Sequence, residues 1–449
     1  MNCDATESAI EIWRAGLNAV RSDRVVRQVV DVDANRLSLA GESFSLEDLD
    51  RFCVVGAGKA GRGMTAGLLD GLAPLTLGDR LSGWLNVPAG WEAAEPIDSR
   101  VTLHAARPAG VNLPTPAAVA GTRRIVEMVE SLGPRDLCVC LLSGGGSALL
   151  PLPTDDITLE QKIQLTRDLS AAGATIQQLN SVRRHYSKIK AGGLARRCRA
   201  GHLVTLIISD VIGDPLDVIA SGPTVQQHGT AEDLSAVCKQ LAAVGASESL
   251  EFVDRILKRP SNSRESKVEC KVTNQVIANN QKAVDAAAAH ARSLGFQCEV
   301  IPSEPPTTTA DQLGAHLARH VISSAKPSTG PICFISGGEP VVRLAADHGK
   351  GGRNQQLVLA ALQVLQDEPL NCDFSVLSGG TDGEDGPTDS AGAYCDRQVL
   401  RKCEELGLSP AAYLDRNDAY AFFEQVDGLF KTGPTDTNVC DVRVITATC

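Results

Sequence analysis

Five short apolar runs, each closed by glycine, serine or aspartate, constrain this chain more than any other feature. They are "RFCVVGAG", "LCVCLLSGGG", "LVTLIISDVIGD", "PICFISGGE" and "DFSVLSGGTDGEDG", and most lead into a stretch of helical periodicity. Continuous Val, Ile and Leu runs alternating with helices mark βα units, whose sheets are covered on both faces. Ligands of such sheets bind beyond the carboxyl ends of the strands, so the strand-end residues are the candidates for function. At 449 residues the chain exceeds one ordinary core, which predicts two or three α/β domains, read as an α/β fold of two Rossmann-like domains.

The first domain is expected over residues 1–325 and the second over 330–449, divided near the turn-rich "SSAKPSTGP". Leu159 to Arg197 reads as one long helical region. A net charge of -11 without a basic cluster argues against nucleic acid and anionic membrane surfaces. No apolar run approaches the roughly 20 residues of a membrane span. The opening "MNCDATESAIEIWRAGLNAV" is an amphipathic helix containing acids, unlike a signal or transit peptide. The 14 cysteines are spread singly with no C-x-x-C, which predicts reduced thiols and a cytoplasmic protein. Cys138 and Cys140 share a strand face and read as core filler rather than metal ligands.

Gly56, Gly58 and Gly61 satisfy G-x-G-x-x-G, but a dinucleotide site also needs an acid ending the next strand. Asp70 and Asp79 precede the apolar run "LSGWLNV" instead, and no βαβ partner is evident. A P-loop fails because Lys59 is followed by Ala60, not by a hydroxyl. What remains is a strand, a flexible loop, a helix start and one lysine, which suits an anion or a solvated side chain equally. "SGG" recurs at 143–145, 336–338 and 378–380, where successive N–H groups are expected to form anion nests. In "HGKGGRNQQLVLAAL", Lys350 and Arg353 precede a helix; a cation there calls for an anionic partner, ligand or protein. Strand-end acids, Asp210, Asp214 and Asp217 and then Asp382, Glu384, Asp385 and Asp389, suit Mg²⁺, proton acceptance or simple acidic turns. Together these are the parts of a phosphoryl-transfer site. His185, beside Arg183 and Arg184, reads as a surface or supporting residue.

In combination, "GAGKAG", "LLSGGGSALLPLP", "LNSVRRHYSKIKAGGLA", "SDVIGDPLDVIASGPT", "SGGEPVVRL", "GKGGRNQQLVLAAL", "SGGTDGEDGPTDSAGAY" and "KTGPTDTNVCDV" resemble the glycerate 2-kinase family, whose C-terminal module is the MOFRL domain. The resemblance runs in family order from about residue 7 to residue 443. It implies two α/β domains with an interdomain cleft, ATP and Mg²⁺ as cofactors, and phosphorylation of D-glycerate on its 2-hydroxyl. It is compatible with a homodimer. It points to Lys59 and Arg353 as active-site cations, with Gly56, Gly58 and the run Ser143, Gly144, Gly145, Gly146, Ser147 as a phosphate or carboxylate cradle. Asp382, Thr432, Asn438 and Asp441 would line the site from the C-terminal side, and Asp210 is the candidate for metal or substrate hydroxyl. The alternatives are an NAD(P)H-dependent hydroxypyruvate reductase and a non-catalytic sugar-acid sensor. Two departures stand out: Ala191 occupies a position where the family commonly has glycine, and "ARPAGVNLPTPAAV" keeps only Asn112, Leu113 and Pro114 of one family variant.

Overall fold

The computed structural model describes residues 4–91, 97–108, 113–225, 234–258, 268–305, 307–326 and 330–449, so Asn112 lies outside the described residues. Its contacts divide the chain into two compact units, Val26–Ile277, and Met1–Val25 with Ala278–Cys449. The expected boundary at 325–330 falls inside the second of these.

In the middle unit, β1 (Val30–Asp33), β2 (Arg36–Leu39) and β3 (Glu42–Ser45) form a small antiparallel sheet. The main sheet holds β4 (Phe52–Ala57), β5 (Leu81–Pro88), β6 (Val101–Arg107), β7 (Leu137–Leu142), β8 (His202–Ile208) and β9 (Lys271–Ala278), in the order β6-β5-β4-β7-β8-β9. The pairs from β6 to β8 are parallel. Strands β4 and β7 are buried at every residue, as their unbroken apolar sequences require of a sheet covered on both faces. The chain steps outward from β4 to β6, then returns to the other side of β4 as β7. The carboxyl ends of β4 and β7 therefore flank the switch point where such sheets bind ligands. A βαβ unit is present after all: the helix Gly61–Leu72 connects β4 to its parallel neighbour β5.

Residues 159–197 are not one helix. Thr158 and Thr175 each build a capping box, with Gln161 and Gln178, that starts the separate helices Leu159–Ala171 and Ile176–His185. Gly173, at φ 75°, breaks the chain between them. These helices pack with Ser247–Leu257 about Leu165, Leu169, Val182, Tyr186 and Phe252.

In the other unit, β10 (Gln297–Ile301), β11 (Ile332–Gly338), β12 (Asp373–Gly380), β13 (Gly392–Asp396), β14 (Leu429–Phe430) and β15 (Asp441–Thr448) are ordered β10-β11-β15-β12-β13-β14. Only β10 and β11 pair in parallel; β15 runs antiparallel between β11 and β12. The helix Ala5–Ala19 belongs here rather than with the residues that follow it. Its Trp13 is fully buried and donates from Nε1 to the Gly379 carbonyl at 3.3 Å. A Cβ on Gly16 would come within 2.8 Å of the Ala283 carbonyl oxygen, so this helix lies unusually close to the helix Asn280–Ser293. A disulfide joins Cys372 and Cys449, which corrects the expectation that every thiol is reduced. Cys138 and Cys140 are buried core residues of the middle unit.

Candidate active site

The "GAGKAG" and "SGGGS" loops leave β4 and β7 side by side and are tied to each other. The Lys59 amide donates to the Gly144 carbonyl at 2.9 Å, and the Ala60 amide to Ser143 Oγ at 3.0 Å. The Ser143 hydroxyl is thus a strut between the loops, and a Cβ on Gly58 would overlap it. Gly58 also adopts φ 146°, so the position is closed to other residues on two counts. Gly145, at φ 77°, lies beside the side chains of two basic residues. A Cβ there would meet Arg107 Nη2 at 3.0 Å and Lys59 Cγ at 3.8 Å. Lys59 is half-buried and Arg107, the last residue of β6, is 5% exposed. Arg107 escaped the sequence reading because it lies in "ARPAG", outside every glycine run. Gly56 is the penultimate residue of β4, Gly146 and Ser147 begin a single helical turn, and Asp210 is half-buried in the loop after β8.

Lys190 was also missed, and it is 96% buried next to this loop, with Nζ donating to Ser147 Oγ at 2.6 Å. Its neighbour Ala191 adopts φ 51°, a left-handed conformation that suits glycine and costs alanine about 1–2 kcal/mol. Ala191→Gly is therefore expected to raise stability by roughly 0.5–1 kcal/mol, after the extra freedom of glycine in the unfolded chain is subtracted. Urea unfolding of the pair measures the difference; a less stable variant would show that the turn carries no strain.

In the other unit the remaining site residues gather at the ends of β11 and β12 and the start of β15. Arg353 opens the helix Arg353–Asp367 and is held by protein carboxylates: Nε and Nη2 donate to the two oxygens of Asp441 at 2.7 and 2.9 Å, and Nη1 lies 2.8 Å from Glu339 Oε1. Burial disfavours its charge, but Asp441 and Glu339 outweigh that and keep the guanidinium firmly protonated. Asp441 itself is fully buried. Asp385 supplies the cap that Gly352 lacks, accepting from the amides of Asn354 and Gln355 at 3.0 and 2.9 Å. Asp385→Ala would leave both amides unmet and is expected to cost about 2–4 kcal/mol in chemical denaturation. A loss under 1 kcal/mol, roughly the worth of one exposed cap, would mean that water replaces the carboxylate.

Asp382 and Thr432 sit on loops in contact, because a Cβ on Gly383 would lie 3.1 Å from Thr432 Oγ1. Asn438 accepts from the Cys440 amide at 3.3 Å, one residue before Asp441. Arg443, 1% exposed and absent from the sequence reading, donates to the Gly337 carbonyl at 2.9 Å. The second and third "SGG" runs are not nests. Ser336–Gly338 and Ser378–Gly380 are the last residues of β11 and β12, both paired with β15. Their backbones belong to the sheet ladder, and only Ser143–Gly145 lies in a loop. Lys350 is exposed, with Nζ 4.1 Å from the centre of the Tyr420 ring.

Among the described residues, no group of three or more His, Cys, Asp or Glu side chains converges on a metal-sized site. Mg²⁺ in phosphoryl-transfer sites usually takes one or two carboxylates and completes its shell with phosphate and water, which the oxygen donors of Asp210 suit. A cavity of about 390 Å³ in the middle unit is lined by Arg123, Leu152, Thr158, Lys188 and Arg197 among others, and by no residue of the glycine loops. Lys188 and Arg197 are already paired there with Asp155 and Glu130. No helix among the described residues is long and apolar enough to cross a membrane.

Residues 8–258 match a domain of unknown function (DUF4147), and residues 332–441 match the MOFRL family. A glycerate kinase of Danio rerio is 34% identical, aligned over 97% of this chain and 96% of its own. A D-glycerate 2-kinase of Thermotoga maritima is 34% identical over 97% of both chains. The crystal structure of a glycerate kinase from Thermotoga maritima superposes with a TM-score of 0.78, at 32% identity, over 99% of each chain. With the glycine loops of β4 and β7 and the carboxylate-held arginine in one chain, matched end to end by such relatives, this protein belongs to the glycerate kinase family.

Proposed function

We propose that this chain transfers the γ-phosphoryl group of ATP to the 2-hydroxyl of D-glycerate, giving 2-phosphoglycerate and ADP. The observation that carries the reading is that the side chains of two basic residues, Lys59 and Arg107, both run beside Gly145 at the switch point of a parallel sheet. Phosphoryl transfer asks little covalent chemistry of a protein and much positioning and charge neutralisation. Lys59 and Arg107 are assigned to the oxygens of the transferring group, and the amides of Gly144 and Gly145 to a phosphate or carboxylate oxygen, the Gly146 amide being taken by the Ser143 carbonyl at 3.1 Å. Asp210 is assigned to Mg²⁺, which would neutralise the nucleotide phosphates, or to the proton leaving the 2-hydroxyl. Gly56 and Gly58 shape the turn that presents Lys59. Arg353, with Asp382, Thr432, Asn438 and Asp441, is assigned to the same reaction from the other unit. Because Arg353 is already neutralised by Asp441 and Glu339, its role is to orient a planar anion or exchange partners with it, not to supply bare charge.

The test is purified protein with ATP, Mg²⁺ and D-glycerate, the product identified by phosphorus NMR. A 2-phospho product supports the reading, while a 3-phospho product or none overturns it. The reductase alternative is disfavoured because β5 contains no acid for a nicotinamide ribose. Oxidation of NADH by hydroxypyruvate would revive it, and glycerate binding without turnover would favour the sensor. The same reading places the protein in the cytoplasm, with ATP at hand, and light scattering tests the homodimer.

A further inference from the structure

Lys190 is a buried amine with no carboxylate partner among the described residues. Its polar contacts are two hydroxyls, Ser147 Oγ at 2.6 Å and Ser221 Oγ at 3.3 Å, themselves 3.2 Å apart. The charged groups facing it do not balance an ammonium. Lys162, from the helix Leu159–Ala171, donates to the Tyr186 carbonyl at 3.1 Å, and Arg183 and Arg184 come from the helix Ile176–His185. Arg184 in turn engages the carboxylate of Asp217 at 3.3 Å. Burial first, and these cations after it, push the Lys190 amine well below its ordinary range.

The backbone around it is strained on both sides. Ala191, Ala220 and Ser221 have φ of 51°, 49° and 64°. The two segments are locked together, the Ala191 amide on the Ser221 carbonyl at 3.0 Å and the Gly192 amide on the Gly222 carbonyl at 2.7 Å. Three non-glycine residues in the left-handed region persist only where the surroundings over-determine them, and such clusters mark ligand clamps. Here they deliver Lys190 and Ser221 to Ser147, on the loop that also carries Gly145 beside Lys59 and Arg107.

We propose that Lys190 is the buried counter-charge of an oxyanion site on the Ser143–Ser147 loop, orienting the Ser147 hydroxyl and protonating when anionic oxygens bind beside it. This rests on the reading of that loop as an anion site. The proton comes from solvent, so the neutral amine, one proton and the anion become an ammonium–oxyanion pair. Lys190 acts through Ser147 and is a positioning residue. The ligand chemistry is a polyphosphate or a hydroxy-acid carboxylate, and the two are separable by experiment.

Calorimetric binding of tripolyphosphate, and separately of D-glycerate, to the full chain would be measured near neutral pH in buffers of different ionisation enthalpy. One probe is expected to bind with net proton uptake, which identifies the polyphosphate or the carboxylate. Lys190→Met should weaken that probe about tenfold or more and abolish the uptake. Ser147→Ala, which removes a half-buried hydroxyl and should leave the fold intact, is expected to cut the uptake as well and to raise KM with little change in kcat. Lys190→Arg, permanently charged, should restore much of the affinity without uptake. If Lys190→Met binds both probes like the parent while Lys59→Ala does not, Lys190 is structural and the proposed function is untouched. If neither substitution alters binding, the loop is no anion site and both readings fall. A parent that binds neither probe, or binds without uptake, also overturns the inference.

Discussion

Lys59→Ala lowers kcat by about a hundredfold or more, with the fold unchanged, because it deletes positive charge felt most strongly as the phosphoryl group transfers. The structure permits the substitution. Lys59 is half-buried, and the bond that fixes its loop, to the Gly144 carbonyl, is made by the backbone and survives in alanine. Helix Gly61–Leu72 begins two residues later and does not use the side chain as a cap. Steady-state kinetics with ATP varied at saturating D-glycerate, beside a melting curve, separates chemistry from folding. Turnover within a few-fold of the parent would return Lys59 to the solvated loop lysine that its sequence also allows.

Arg353→Ala is expected to fail differently, through the fold as well as the reaction. Asp441 is fully buried and its two oxygens both accept from Arg353, so removing the arginine strands a carboxylate in the interior. Breaking such a pair typically costs about 3–5 kcal/mol, a large part of the stability of one unit. Arg353→Lys keeps the charge but not the planar fork, and should lose at least about tenfold in kcat/KM as the bidentate geometry goes. Lysine activity near the parent's, with an unchanged melting temperature, would show that charge alone is needed there. The double variant Arg353→Met with Asp441→Leu removes both charges, and should recover stability but not activity. Recovery of both would take the pair out of the chemistry.

The apolar runs made β4, β7, β8, β11 and β12 legible, because a strand covered on both faces has to be apolar throughout. Strand order was not legible, since "DVRVITAT" carries no mark that it inserts antiparallel between β11 and β12. That insertion is what turned two "SGG" runs from expected nests into ladder residues. It also placed Asp441 against Arg353, the protein partner that a cation at a helix start had called for. The lysines of "SKIKAGG" illustrate a second limit. Lys188 pairs with the exposed Asp155 at 2.6 Å, while Lys190, two residues on, is buried beside Ser147. Spacing alone does not distinguish them; only the left-handed turn at Ala191, a departure toward alanine visible in the sequence, hinted that the segment is under constraint.

The central position of β15 sets an order of events during synthesis. Domains generally fold as units while the chain is made. Every strand of the middle unit's sheet has been made once Ala278 is added, so that unit can close on itself early. The other sheet stays split, with β10 and β11 on one side and β12, β13 and β14 on the other, until Asp441–Thr448 joins them. Until then the helix Ala5–Ala19, made long before, lacks β15, one of the surfaces it packs on, and the Ala5 carbonyl lacks the Thr446 hydroxyl that reaches it. Of the two units, the one that holds Arg353 therefore acquires its structure second, and Asp441, which positions that arginine, is the first residue of the strand that completes it.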